Sequence, residues 1–432
     1  MITAEVENRK PAWIGDFPSH WKVIRIRNLF REIDDRSVNG DGELLSVSQY
    51  TGVTPKRDSL ENEDDFISNA ETLENYKKVA IGDLVINIML AWNGSLGISP
   101  YEGITSPAYC VYRCLPGNNP EYFGYLFSTA LFKVEFRRNS TGIIDSRLRL
   151  YSDKFFSIFS VVPPIEEQNR IVEYIKIQSE KINRFIVAKK RFIELLKEQR
   201  QGIIDHAVIK GIISNASTKF SGYDWLGDIP EHWELRRLKF CIESKLKYGA
   251  NESGYEFDPS WYRYIRITDF NTEGDLSEDN KLSLPIEKAV EFELADGDIL
   301  FARSGATVGK TFIFRSNDDD EKYCFAGYLI KATPRKEIIL SEYLYNFTNS
   351  IAFENWKNRI FIKATIENIG ANKYASLFVP IPPISEQSKI LEYIVNETSI
   401  INTAISKAEQ EIELIKEYKE AMIAEAVMGK VT

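Results

Sequence analysis

The longest regular pattern in the chain is helical. Val172, Ile175, Ser179, Ile182, Ile186, Lys189, Ile193 and Leu196 recur at alternating intervals of three and four. The same spacing returns 219 positions later in Leu391, Ile394, Thr398, Ile401, Ile405, Ala408, Ile412 and Ile415. A stripe this narrow, held for about three and a half heptads, is a coiled-coil seam and needs a partner seam. It predicts two long helices, over about 165–210 and 384–428. Prolines at 163–164 and 382–383 suit their entries, and Gly211 and Gly429 their exits. Forty residues at roughly 1.5 Å each make a rod of about 60 Å. The two helices can satisfy each other within one chain. If they run antiparallel, the segments that precede them are expected at opposite ends, with approximate two-fold symmetry.

Elsewhere the apolar runs are short. Asp83-Leu-Val-Ile-Asn-Ile-Met, Ala108-Tyr-Cys-Val-Tyr, Ile299-Leu-Phe-Ala and Thr311-Phe-Ile-Phe read as strands, bounded by Gly, Asn, Asp and Pro. Amphipathic stretches at Tyr122 to Phe136 and Glu342 to Lys357 read as helices. The fold class is therefore α+β, with two mixed domains separated by the long helices. The expected boundaries are 1–162 for the first domain, 163–212 for the first helix, 213–381 for the second domain and 382–432 for the second helix.

The chain repeats itself. Trp13-Ile-Gly-Asp, with Pro18, His20 and Trp21, returns 212 positions later as Trp225-Leu-Gly-Asp, with Pro230, His232 and Trp233. Gly82-Asp83-Leu84 is echoed by Gly297-Asp298-Ile299 at an offset of 215. Pro163-Pro-Ile-Glu-Glu-Gln168 and Ala207-Val208 return at 219 as Pro382-Pro-Ile-Ser-Glu-Gln387 and Ala426-Val427. Blocks in one order at nearly one offset mean a duplicated unit of about 215 residues, not a solenoid.

Composition narrows the function. At 432 residues, 44% hydrophobic and 27% charged, the chain is long enough for two to four globular units and is not disordered. No apolar run approaches the ~18 residues of a membrane span. The opening MITAEVENRKP lacks the apolar core of a secretory leader, so a cytoplasmic protein is expected. Four cysteines without a CxxC pair exclude a disulfide framework and argue against structural zinc. A net charge of −9 excludes coating nucleic acid by bulk charge, but not binding through a local basic patch.

No catalytic constellation stands out. Gly305 to Thr311 resembles a phosphate loop, but has three residues between its glycines where four are needed, and a strand follows. Asp258-Pro-Ser-Trp resembles the amino-methyltransferase tetrapeptide but lacks its second proline, and no Gly-rich turn for S-adenosylmethionine precedes it. His20 and His232 are repeat equivalents beside tryptophans, which points to packing or capping. No metal site is expected, and no cofactor for this chain.

A duplicated module on a fixed-length rod suits a ligand with two sites a set distance apart, and DNA is such a ligand. Groove edges and phosphates are met by Arg, Lys, Asn and Ser, and glycines let the backbone approach. The candidates in the first half are Trp92, Asn93, Ser95, Arg137, Arg138 and Arg147. In the second half they are Arg303, Ser304, Thr307, Lys310, Lys357, Arg359 and Lys363.

Taken together, the paired Trp-x-Gly-Asp-x-Pro-x-His-Trp openings, the Gly-Asp-Leu/Ile blocks, Trp92-Asn-Gly-Ser-Leu-Gly97, Ser106-Pro-Ala-Tyr109, the Pro-Pro-Ile-x-Glu-Gln entries and the Ala-Val ends cover nearly the whole chain. In this order, with the heptad helices, the sequence resembles the specificity, or DNA-recognition, subunits of type I restriction-modification enzymes. The resemblance implies two target-recognition domains, each reading half of a bipartite double-stranded DNA target. It implies an antiparallel coiled coil that sets the spacer and helps dock two methyltransferase subunits, which methylate adenine at N6 with S-adenosylmethionine. Restriction subunits using ATP and Mg²⁺ can join. The resemblance assigns catalysis and cofactors to those partners, not to this chain, and implies no membrane association. The two domains differ between Trp92-Asn-Gly-Ser95 and Arg303-Ser-Gly-Ala306, so two different half-sites are expected.

Overall fold

The computed structural model describes residues 11–56, 72–144, 147–271, 274–305, 307–316, 321–361 and 368–431. Two long helices dominate the sequence order, Ile165–Lys210 and Ile384–Val427. Contacts group the chain into two compact units that divide within these helices. One unit is 1–190 with 410–432, and the other is 191–409. Each mixed domain therefore groups with the start of one long helix and the end of the other.

In the first unit, four antiparallel strands lie in the order Phe30–Ile33, Tyr109–Cys114, Leu84–Asn87, Leu96–Ile98. Leu84–Asn87 is buried at every position, as its unbroken apolar run requires of a central strand. Helices Pro120–Ser128, Ala130–Asn139 and Ser152–Ser157 bring Phe123, Phe127, Phe132, Phe136 and Phe155 together in an aromatic core. Their rings meet at centroid distances of 5.1–6.0 Å, several edge to face. A separate antiparallel pair, Lys22–Arg25 with Phe159–Val162, carries the chain into the first long helix.

The second unit repeats this frame. Its sheet runs Lys247–Tyr248, Leu329–Ala332, Ile299–Ala302, Thr311–Ile313, all antiparallel, and Glu234–Arg237 pairs with Phe378–Ile381 before the second long helix. It also holds a second four-stranded sheet, with Tyr262–Ile265 and Tyr323–Phe325 parallel. Arg263, almost wholly buried there, pairs with Glu278 at 2.9 Å and Glu321 at 3.6 Å.

Within each unit the long helices pair antiparallel. In the first, Lys419 donates to Asn183 at 3.1 Å and Lys189 meets Glu411 at 2.5 Å. In the second, Lys197 lies 3.8 Å from Glu409, and Arg200 donates to Asn402 at 2.8 Å. Numbers rise along one helix as they fall along its partner. The seam positions Val172, Ile175, Ile182, Ile193, Ile394, Ile401, Ile405, Ala408 and Ile412 are buried, and Ile186, Leu196, Leu391 and Ile415 half-buried. Thr398 hands its hydroxyl proton to Ile394 O at 2.6 Å, whereas Ser179 Oγ, its repeat equivalent, has no partner among the described residues. No described helix is long and apolar enough to cross a membrane.

Candidate nucleic-acid interface

The repeated motifs converge on one structural joint per unit. Glu167, in the first turn of its helix, accepts Trp21 Nε1–H at 2.9 Å and sits 2.8 Å from His20 Nε2. Glu386 does the same with Trp233 at 3.1 Å and His232 at 2.8 Å. The Trp21 indole, then His20, hold the Glu167 carboxyl below the usual range, against the opposing effect of burial. The following glutamines are buried. Gln168 donates to Pro163 O and accepts Asn119 N–H; Gln387 donates to Pro382 O and accepts Leu340 N–H, all at 2.8–2.9 Å. The Ala-Val ends complete the joint, since Tyr122 donates to Val427 O at 2.9 Å and Tyr343 to Val208 O at 3.1 Å. The histidines, tryptophans and Gln motifs thus fix domains to helices.

The Gly-Asp blocks are turn locks. Asp83 accepts Ala80 N–H and a bidentate Arg113, and Asp298 accepts Ala295 N–H and faces Lys331 at 3.2 Å. The phosphate-loop lookalike is a hairpin connection whose amides serve the loop itself. Val308 N–H donates to Gly305 O, Gly309 N–H to Ala302 O and Lys310 N–H to Thr307 O. Asp258 closes a local turn on Ser260. Cys110 and Cys114 lie on one strand, and burial pushes the Cys114 thiol up to about 12.

The basic candidates gather beside equivalent hairpins. In the first unit, the turn Ala91–Asn93 joins the strands at 84–87 and 96–98 and packs on helix Ala130–Asn139. Arg137 of that helix lies over the Trp92 ring at 5.2 Å, and Trp92 Nε1–H donates to Met89 O. Lys133 crosses Gly94 so closely that a Cβ there would lie 2.6 Å from Lys Cε. In the second unit, the hairpin between 299–302 and 311–313 carries Arg303, Ser304, Thr307 and Lys310. Arg303 lies over the Tyr248 ring at 4.9 Å. Lys357, from helix Ile351–Phe361, crosses Gly309 as Lys133 crosses Gly94, with its Nζ 2.6 Å from Glu354. Each domain thus presents a glycine-bearing hairpin, a lysine across it and an arginine–aromatic stack. The pattern fixes a cation over an aromatic ring beside each hairpin.

Three candidates stand apart. Ser95 is buried in its turn, where its N–H and C=O bond to Leu90 and Asn87; the close turn after Gly94 withdraws it from the surface, which corrects the sequence expectation. Arg359 leaves the opposite side of its helix from Lys357 and pairs with Asp224 at 3.3 Å. Lys363 lies outside the described residues. Arg138 and Arg147 are exposed, and Asn93 is half-exposed beside Trp92. Lys133 and Tyr248 were missed by sequence reasoning. The lysine sits in an ordinary amphipathic helix and the tyrosine in a two-residue strand, so neither carries a local signal.

Residues 230–414 match the model of the type I restriction modification DNA specificity domain. The MjaVIII type I restriction enzyme specificity subunit of Methanocaldococcus jannaschii is 24% identical over 96% of this chain and 93% of its own length. This chain is similar to type I specificity subunits along nearly its whole length. The EcoKI specificity subunit of Escherichia coli is 25% identical over 32% of this chain and 30% of its own length. Among solved structures, a chain from a study of complex assembly and conformational transition of the type I R-M system superposes with a TM-score of 0.68. It is 16% identical, over 96% of this chain and 100% of that one. The HsdS subunit from Thermoanaerobacter tengcongensis gives 0.50, at 17% identity, over 96% and 98%. These neighbours share the specificity-subunit fold.

Proposed function

We propose that this chain is the DNA-recognition subunit of a type I restriction-modification system, non-catalytic by itself. Its first domain reads one half of a bipartite duplex target and its second domain the other. The long helices set the spacer and help dock two methyltransferase subunits, to which restriction subunits add. S-adenosylmethionine, ATP and Mg²⁺ belong to those partners, and the complex works in the cytoplasm. The observation that carries this reading is the equivalence of the two hairpins. One frame presents Trp92, Asn93, Lys133 and Arg137 in one domain, and Arg303, Ser304, Thr307 and Lys357 in the other. A conserved support with exchanged side chains suits two different half-sites, because groove patterns are read by side-chain type.

The test is mapping of N6-methyladenine in host DNA with and without this chain. Loss of one split, asymmetric motif is the expected result. Charge reversal of Arg303 and Lys310 should weaken binding of the assembled complex and flatten its salt dependence. An unchanged methylation map, with methyltransferase bound and active, overturns the reading.

A further inference from the structure

One arginine of the second domain is held in a way that charge alone does not require. Arg303 follows the strand Ile299–Ala302, and its backbone is bonded on both sides. Its N–H donates to Tyr328 O at 3.0 Å, and its carbonyl accepts Ile369 N–H at 2.9 Å. Its guanidinium lies over the Tyr248 ring at 4.9 Å. That ring is fixed in turn, because the Tyr248 hydroxyl accepts Ala371 N–H at 2.9 Å. Arg303 Nε is covered and has no hydrogen-bond partner among the described residues. Nη1 reaches Gly327 O only at 3.5 Å. A covered donor without an acceptor is a cost that a lysine here would avoid. Tyr248 is 42% exposed and Tyr328 66% exposed, so the stack sits at an open surface.

The segments that frame the stack, 245–251, 301–305, 325–329 and 368–373, carry Lys245, Lys247 and Lys373 beside Arg303, and no carboxylate. Of the acids that flank them, Glu252 is paired with Lys288 at 3.1 Å. Glu243 donates its N–H to Thr333 O, beyond the far end of strand Leu329–Ala332 from Tyr328. Glu367 lies outside the described residues.

We propose that Arg303 reads a guanine in the half-site of the second domain, with Tyr248 as the positioning residue that holds its guanidinium. The inference rests on the recognition reading above and names the base that this residue takes. Arginine meets guanine through two parallel N–H donors on O6 and N7, a match that depends on a fixed guanidinium plane. Adenine presents a donor beside its N7, so the same fork discriminates against it. With Nε covered, the two Nη groups are the donors left for that pair. A phosphate needs only charge, which the exposed Lys310 supplies without a platform. The stack, the anchored tyrosine and the covered Nε therefore favour a base edge over the backbone. In the first domain the stacked arginine, Arg137, comes from a helix and not from the hairpin, so the assignment holds for one half-site only.

The experiment uses the chain assembled with its methyltransferase, and a target duplex taken from the methylation map. Guanines of both half-sites are replaced one at a time by 7-deazaguanine, which removes the N7 acceptor. The wild-type complex is expected to lose about tenfold in affinity at one guanine of one half-site. In Arg303→Lys, which keeps the charge, that replacement should cost nothing further, and the motif should relax at that position alone. Tyr248→Leu should relax the same position, and Tyr248→Phe, which keeps the ring, should retain the preference. All three variants are expected to melt and to capture methyltransferase as wild type. A motif unchanged in Arg303→Lys overturns the proposal. So does an affinity loss equal on target and substituted duplexes, which would assign Arg303 to a phosphate. Relaxation in Arg303→Lys that Tyr248→Leu does not reproduce overturns the positioning role. The wild-type scan decides even where a variant fails to assemble, since a target with no guanine sensitive to loss of N7 overturns the proposal. A wild-type complex without sequence preference overturns the recognition reading itself, and this inference with it.

Discussion

Gln387 offers a direct test of how a recognition domain is fixed to its helix. Its side chain is fully buried, donates to Pro382 O and Ile338 O, and accepts Leu340 N–H, each at 2.9 Å. Alanine removes all three bonds. An orphaned buried N–H at Leu340 costs about 1–3 kcal/mol, and the lost packing and two carbonyl partners add to this, so a loss of about 3 kcal/mol is expected. Glutamate keeps the shape and the acceptor for Leu340, but places a carboxylate oxygen against two carbonyl oxygens. At pH 7, Gln387→Glu is expected to be less stable than Gln387→Ala. That carboxyl has its folded-state pKa raised. The stability of its protonated form is fully present below the unfolded value near ~4.3, and is lost as pH rises through the folded value. The glutamate variant therefore closes on the alanine variant in acid. Urea unfolding followed by the fluorescence of Trp225 and Trp233 measures the order. An alanine variant within ~0.5 kcal/mol of wild type, or a glutamate variant more stable than alanine at pH 7, would refute the hydrogen-bond account.

Two further predictions concern the same joints. The Glu167 carboxyl is held low by Trp21 first and His20 second, so its contribution is present above the unfolded value near ~4.3 and is lost as pH falls through the depressed folded value. Glu167→Gln should flatten that acid limb of the melting temperature between pH 3 and 6; an unaltered limb would place the effect elsewhere. At the helix exits, Gly429 and Gly211 both have left-handed backbone, with φ +70° and +76°. A Cβ at Gly429 would lie 2.7 Å from Pro18 and 2.8 Å from Trp21, whereas one at Gly211 meets Trp233 at 3.1 Å. Both alanine variants should lose about 1–2 kcal/mol from backbone strain, with Gly429→Ala losing more in thermal melts; the reverse order would refute the steric ranking.

The repeats were legible because the repeated residues are those that the joints constrain. Trp21, Glu167 and Gln168 have fixed partners, and so do Trp233, Glu386 and Gln387. The seam was legible because burial along a paired helix imposes a strict period. The division near 190 and 409 was not, since a heptad pattern does not change where one domain's contacts give way to another's. The hairpin chemistry could be read only by residue type. Sequence spacing put Ser95 beside Asn93, and the backbone turn after Gly94 buried it. The stacks of Arg137 on Trp92 and Arg303 on Tyr248 join residues more than forty positions apart, beyond any local pattern.

The joints also explain how the frame can stay constant while the hairpin side chains change. Tyr122 closes on Val427 O, and Tyr343 on Val208 O, so each domain accepts the end of the helix that does not follow it in sequence. What a domain must supply to be held is small: the His-Trp pair, the tyrosine and the backbone groups that Gln168 or Gln387 bridges. None of these belongs to the hairpins at 91–95 or 303–310. The hairpin rests on its own helix, through Lys133 across Gly94 or Lys357 across Gly309, and its exposed side chains carry no part of the joint. Substitutions there leave the bonds between domain and helices in place. The two copies in this chain have diverged at those positions while keeping the joint residues alike.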